Sequence, residues 1–155
     1  AAEQGKALIA EGAKEFVITD EVLQQTYDNY PVMWKKQDAK PKLCFMGCPH
    51  MSLQQLKDWT VAVEEGLKAS GNKKVLIPTV FTTAPSVRKA FEATDDYKRL
   101  TAMGIVLSSI CPLMYMNNPL CKTMPVITSS NKLRTYTTAR YYTEEQILGQ
   151  ITKGV

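Results

Sequence analysis

Short apolar runs alternate with amphipathic helical stretches along this chain, and that alternation limits the possible folds more than any other feature. Residues 14–19, 41–46, 73–80, 105–108 and 126–129 read as strands. Between them lie helical patterns. Leu53, Leu56, Thr60, Val63 and Leu67 share one helical face, opened by a capping box at Ser52 and Gln55 and closed at Gly71. Further helices are expected over residues 1–12, over 20–30 where Pro31 ends the segment, over 86–94, over 95–103 up to Gly104, and over 132–141. A last helix runs from a second capping box at Thr143 and Gln146 to about Ile151. Strand and helix follow one another at βαβ spacing. This predicts an α/β fold with three layers, a mostly parallel sheet of about five strands covered by helices. Pro78 cannot donate to a ladder and predicts an edge position or a bulge.

At 155 residues the chain is long enough for one domain with a core of its own, and residues 1–155 read as a single α/β domain. The net charge of +4 is spread between apolar segments with no basic stripe, so a nucleic-acid partner is not expected. No apolar stretch nears the roughly 20 residues of a membrane span. The first residues lack the pattern of a secretory signal. A cytoplasmic location is therefore expected, where the four cysteines stay reduced. The chain opens without Met and inside a helical pattern, as an excised piece of a longer protein or a processed N-terminus would. It carries no glycine-rich dinucleotide fingerprint and no phosphate-binding loop of the usual spacing.

Chemistry gathers where strands hand over to helices. Cys48, Cys111 and Lys132 each fall just beyond an apolar run, and in an open α/β sheet such positions share the edge where ligands bind. Cys48-Pro49-His50 and Cys111-Pro112 have the form of loops that present a thiolate at fixed geometry, as iron–sulfur or zinc sites need. Either cysteine also reads as a small apolar residue in a turn. Cys121 is a spare candidate ligand. Cys44, inside its strand, points toward the packed interior. His50, the sole histidine, reads as a ligand, a base or a hydrogen-bonding turn residue. Ser129, Ser130, Asn131 and Lys132 read either as an anion clamp at a helix start or as an N-cap beside a solvated lysine. Thr82, Thr83 and Ser86 form a weaker version. The long segment 111–125 is expected to be a functional loop.

Four segments together resemble one family. FMGCPHMSLQQL is similar to the Gly-Cys-Pro-His-x-Ser-x-x-x-Leu segment of aconitase X large subunits. VLIPTVFTTAPSV resembles the family's next strand, VLSSICPL its cysteine-ending strand, and TSSNKLRTY its Thr-Asn-Ser-x-Lys-x-x-x-Tyr segment, all in the family's order. The resemblance implies the C-terminal part of the large subunit of an iron–sulfur hydro-lyase. Such an enzyme dehydrates a small hydroxy acid, such as phosphomevalonate or cis-3-hydroxy-L-proline. By the same resemblance, Cys48 and Cys111 correspond to two of three cluster ligands. Lys132 corresponds to the lysine that binds substrate carboxylate, and Ser130 to the serine of that segment. Ser129 stands where the family has asparagine. The third cysteine, the rest of the pocket and a small swivel subunit or domain are expected outside this chain, which is expected to be inactive alone. Two other readings stand beside it. One is a zinc-binding structural or interaction module built from Cys44, Cys48, His50 and Cys111 or Cys121. The other is a metal-free α/β domain with an anion pocket at Ser129 to Lys132.

Overall fold

A computed structural model describes residues 2–155. The chain divides into two compact units, one up to Pro31 and one over Val32–Val155.

The first unit holds helix α1 (Ala2–Lys6) and helix α2 (Asp20–Asp28). The helix expected over residues 1–12 is thus much shorter, with Ala1 outside the described residues. Five residues is below the length at which a helix is stable without tertiary packing, and Gly5 lies within it. Thr19 caps α2, its hydroxyl oxygen accepting from the Val22 N–H. The strand expected over residues 14–19 does not form. Among the described residues the segment joins no sheet, and Phe16, Val17 and Ile18 are exposed. A strand-favouring composition makes a strand only when a neighbour completes its ladder.

The second unit carries the α/β fold. In chain order its elements are β1 (Leu43–Met51), α3 (Leu53–Ser70), β2 (Thr79–Thr83), α4 (Pro85–Glu92), α5 (Asp95–Ala102), β3 (Ile105–Ser108), α6 (Pro112–Met116), β4 (Val126–Thr128), α7 (Asn131–Tyr136), β5 (Arg140–Tyr141) and α8 (Glu144–Thr152). The five strands form one parallel sheet in the order β3-β2-β1-β4-β5. Both capping boxes form, at Ser52 with Gln55 and at Thr143 with Gln146.

The pleat sorts the core. Cys44 and Met46 of β1 point to one face, where Leu56, Trp59 and Val63 of α3 pack with Phe91, Leu100, Ile147 and Ile151 from α4, α5 and α8. Phe45 points to the other, against Met116 of α6 and Leu133 of α7. The sheet is therefore the middle of three layers.

Two strands differ from expectation. The segment 73–80 becomes β2 only from Thr79 onward. Val75 N–H donates to the Met103 carbonyl and Leu76 N–H to the Ile151 carbonyl, so helix ends, not a strand, satisfy that backbone. β2 is an internal strand, and Pro78 sits just before it, its carbonyl accepting from the Cys44 N–H. The helix expected over residues 132–141 stops at Tyr136, because Thr137 is extended (φ −142°, ψ −177°), and Arg140–Tyr141 pairs with β4 as an edge strand. The sheet keeps five strands with different membership. Within residues 111–125, Pro112 starts the short helix α6.

Candidate functional site at the carboxyl edge

Because all strands run the same way, the segments after β1, β3 and β4 emerge at one edge. Helix α3 follows β1 onto one face and α7 follows its neighbour β4 onto the other. Adjacent strands whose helices diverge in this way open a crevice between their carboxyl ends, the usual ligand position in such sheets. Cys48 and His50 stand on one side of that crevice, Ser129 to Lys132 on the other.

The β1 side is an unusual excursion. Met46 pairs with Phe81 and Met51 pairs with Thr83, so residues 47–50 lie opposite the single residue Thr82. The strand resumes at Met51. Two threonine hydroxyls hold the excursion. Thr82 Oγ1 donates to the Gly47 carbonyl at 2.7 Å and contacts the Met46 carbonyl at 3.2 Å. Thr83 Oγ1 donates to the Met51 carbonyl at 2.6 Å. Gly47 has φ +102°, and a Cβ there would lie 2.2 Å from the Thr82 carbonyl oxygen. The Cys48–Pro49 peptide is cis. Within the excursion Cys48 is half-buried and His50 exposed. The reading of Thr82 and Thr83 as anion ligands is thereby corrected, since both hydroxyls are committed to β1 carbonyls and both residues are buried.

Cys111 is exposed at the N-cap of α6. Its strand lies two places from β1, about 10 Å away at normal strand spacing. Helix α6 folds back over the face that Cys48 joins and contacts β1. The Tyr115 ring stacks on Phe45 with centroids 5.2 Å apart. Its hydroxyl hydrogen-bonds the Ser108 hydroxyl at 3.1 Å, which also accepts from the Ile110 N–H. Cys111 thus lies at the edge that Cys48 shares, ahead of a helix that packs on the face Cys48 joins, and neither thiol is in a disulfide.

On the β4 side, Ser130 is the N-cap of α7, its oxygen accepting from the Leu133 N–H at 3.0 Å. Ser129 Oγ donates to the Met46 sulfur at 3.4 Å, tying this loop to β1 just before the excursion. Lys132 is exposed in the first turn of α7. That helix has six residues, so the lysine charge and not a long helix dipole is what the site offers an anion.

Two further thiols stay apart. Cys44 is fully buried in the core on the α3 face, and burial pushes its thiol pKa well above the ordinary range. Cys121 is half-buried and sits toward the opposite ends of the strands, where the Lys122 carbonyl accepts from Thr138 just ahead of β5. Among the described residues no group of three or more His, Cys, Asp or Glu is placed to hold a metal. A four-ligand zinc set from Cys44, Cys48, His50 and Cys111 or Cys121 is not assembled, because Cys44 faces the other layer and Cys121 the other edge. The sequence reading missed the threonine clamp and the Ser108–Tyr115 contact. The one signal for the clamp was the pair of β-branched hydroxyl residues ending β2.

Residues 41–153 match the family model described as the aconitase X third domain. The chain belongs to the aconitase X family. The matched stretch takes in all five strands of the aconitase X domain together with Cys48, Cys111 and Lys132. Among curated proteins no match was found. Among solved structures the domain is similar to the crystal structure of Thermococcus kodakaraensis aconitase X in its holo-form, with a TM-score of 0.65 and 18% identity over 91% of this chain. At that identity the likeness is one of fold. The chain spans 36% of that structure's chain. No helix among the described residues is long and apolar enough to cross a membrane.

Proposed function

We propose that this domain supplies one wall of the active site of an iron–sulfur-dependent hydro-lyase acting on a small hydroxy acid, such as phosphomevalonate or cis-3-hydroxy-L-proline. What supports this reading is that Cys48, Cys111 and Lys132 all come from the carboxyl-edge side of one parallel sheet, Cys48 and Lys132 from the adjacent strands β1 and β4 and Cys111 from the end of β3. In this reading residues 1–155 are a fragment of a longer large subunit. Its remainder brings the third cysteine, a small swivel subunit or domain closes the site, and the assembly is cytoplasmic.

The donor chemistry fits part of a ligand set: two thiols outside any disulfide at one edge, one half-buried in the β1 excursion and one exposed ahead of α6. Cys48 and Cys111 would hold the cluster, which when bound supplies a Lewis-acidic iron toward a substrate hydroxyl. The remaining work belongs to this chain's own groups. Lys132 draws the substrate carboxylate to the β4 side of the crevice. Ser130 holds the first turn of α7 in place through its cap, and its hydroxyl hydrogen is not used by that bond. Ser129 ties the two sides together. With two thiols of three, the isolated chain is expected to turn over no hydroxy acid.

The test is iron and acid-labile sulfide per chain in the full-length protein after anaerobic reconstitution. Replacing both Cys48 and Cys111 with alanine should bring both to background, and retention of wild-type iron would sink the reading. Lys132→Ala in the same protein should raise KM about 10- to 100-fold, the worth of a hydrogen bond to a charged group, with a smaller change in kcat. An unchanged KM would remove Lys132 from the site.

A further inference from the structure

Thr82 stands opposite the break in the β1–β2 ladder. It is fully buried, it is the only residue of β2 opposite the four-residue excursion 47–50, and its hydroxyl reaches the carbonyls of both Met46 and Gly47, the last two residues before Cys48. One hydroxyl hydrogen serves two acceptors, the shorter contact at 2.7 Å to Gly47. The β1 and β2 backbones also approach so closely here that no side chain fits at position 47. The departure point of the excursion is therefore set from β2, and Thr83 fixes the point of return at Met51. Between these two anchors Cys48 has little freedom of its own.

We propose that Thr82 is a positioning residue for Cys48: its hydroxyl holds the Met46 and Gly47 carbonyls so that the thiol is presented at the carboxyl edge in one orientation. The inference rests on the reading of Cys48 as a cluster ligand. A ligand in a free loop must be ordered on binding, whereas one anchored on a buried hydroxyl is already ordered. Thr82→Val keeps the branched shape and removes the hydroxyl hydrogen that both carbonyls share. Thr82→Ser keeps the hydrogen and should behave as wild type.

The experiment is residue-resolved alkylation of the four cysteines with iodoacetamide, read by peptide mass spectrometry. Cys44, sealed in the other face's core, reports global opening, and Cys111 serves as an internal reference. Thr82→Val should raise the Cys48 rate about fivefold with Cys44 still protected and Cys111 unchanged, and Thr82→Ser should restore the wild-type rate. An unchanged Cys48 rate in Thr82→Val overturns the proposal. So does a chain in which Cys44 becomes reactive together with Cys48, since Thr82 would then serve the whole fold. Bound iron in full-length Cys48→Ala separates this from the parent reading. If iron is unchanged there, the ligand role falls, while the hold of Thr82 on Cys48 is still judged by the labelling.

Discussion

Replacing Gly47 with alanine should destabilise the domain by about 2–4 kcal/mol, a drop of roughly 6–16 °C in the thermal midpoint. Two effects add. The backbone at φ +102° is one that a side chain rarely adopts, and the new Cβ would lie 2.2 Å from the Thr82 carbonyl oxygen and 2.6 Å from its hydroxyl. A flexible side chain can swing away from such a contact. The Thr82 carbonyl cannot move without disturbing the pairing of Thr82 with Ser108 and of its neighbours Phe81 and Thr83 with β1. Gly71 is the control. It has φ +72° at the end of α3 but open space around its Cβ direction, so Gly71→Ala should cost about 1 kcal/mol from conformation alone. Melting curves of the two variants decide the matter, and equal midpoints would mean that the crowding at Gly47 relaxes freely.

Cys48→Ser in the full-length protein should lower kcat/KM by about a thousandfold or more while leaving the fold intact. If this thiol holds the cluster, its loss removes the Lewis acid, and several kcal/mol of transition-state stabilisation corresponds to roughly three powers of ten. The fold should tolerate the change because Cys48 is half-buried at the rim of its core. Cys44→Ala provides the opposite case. It empties a fully buried position on the α3 face, so it should lower the melting temperature and leave kcat/KM near wild type. A Cys48→Ser protein retaining more than about a tenth of wild-type kcat/KM would exclude the cysteine as a ligand.

Much of this arrangement was legible in the chain itself. The β1 segment, the α3 face and both capping boxes were readable because they depend on residues within a few positions of one another. Cys111 and Lys132 do lie beyond β3 and β4, whereas Cys48, expected just past its strand, falls inside β1 in the excursion before Met51. The segment 14–19 misled because its Phe-Val-Ile run has strand composition but finds no neighbour. Arg140–Tyr141 was hidden for the converse reason: two residues carry no periodicity, and only pairing with β4 makes them a strand. Thr82 and Thr83 looked like polar ends open to a ligand, and only the register between β1 and β2 shows where their hydroxyls go.

Local pattern by itself thus determined an α/β domain, since hydrophobic period and capping are written over short spans, and four short motifs in order carried the family likeness. Only the tertiary structure decided the strand order, the crevice between β1 and β4, the separation of Cys44 and Cys121 from the edge, and the anchoring of the Cys48 excursion on Thr82. Each of these is a pairing between residues distant in the chain, chosen by burial and backbone hydrogen bonding across the whole sheet, and no short stretch of sequence contains both partners.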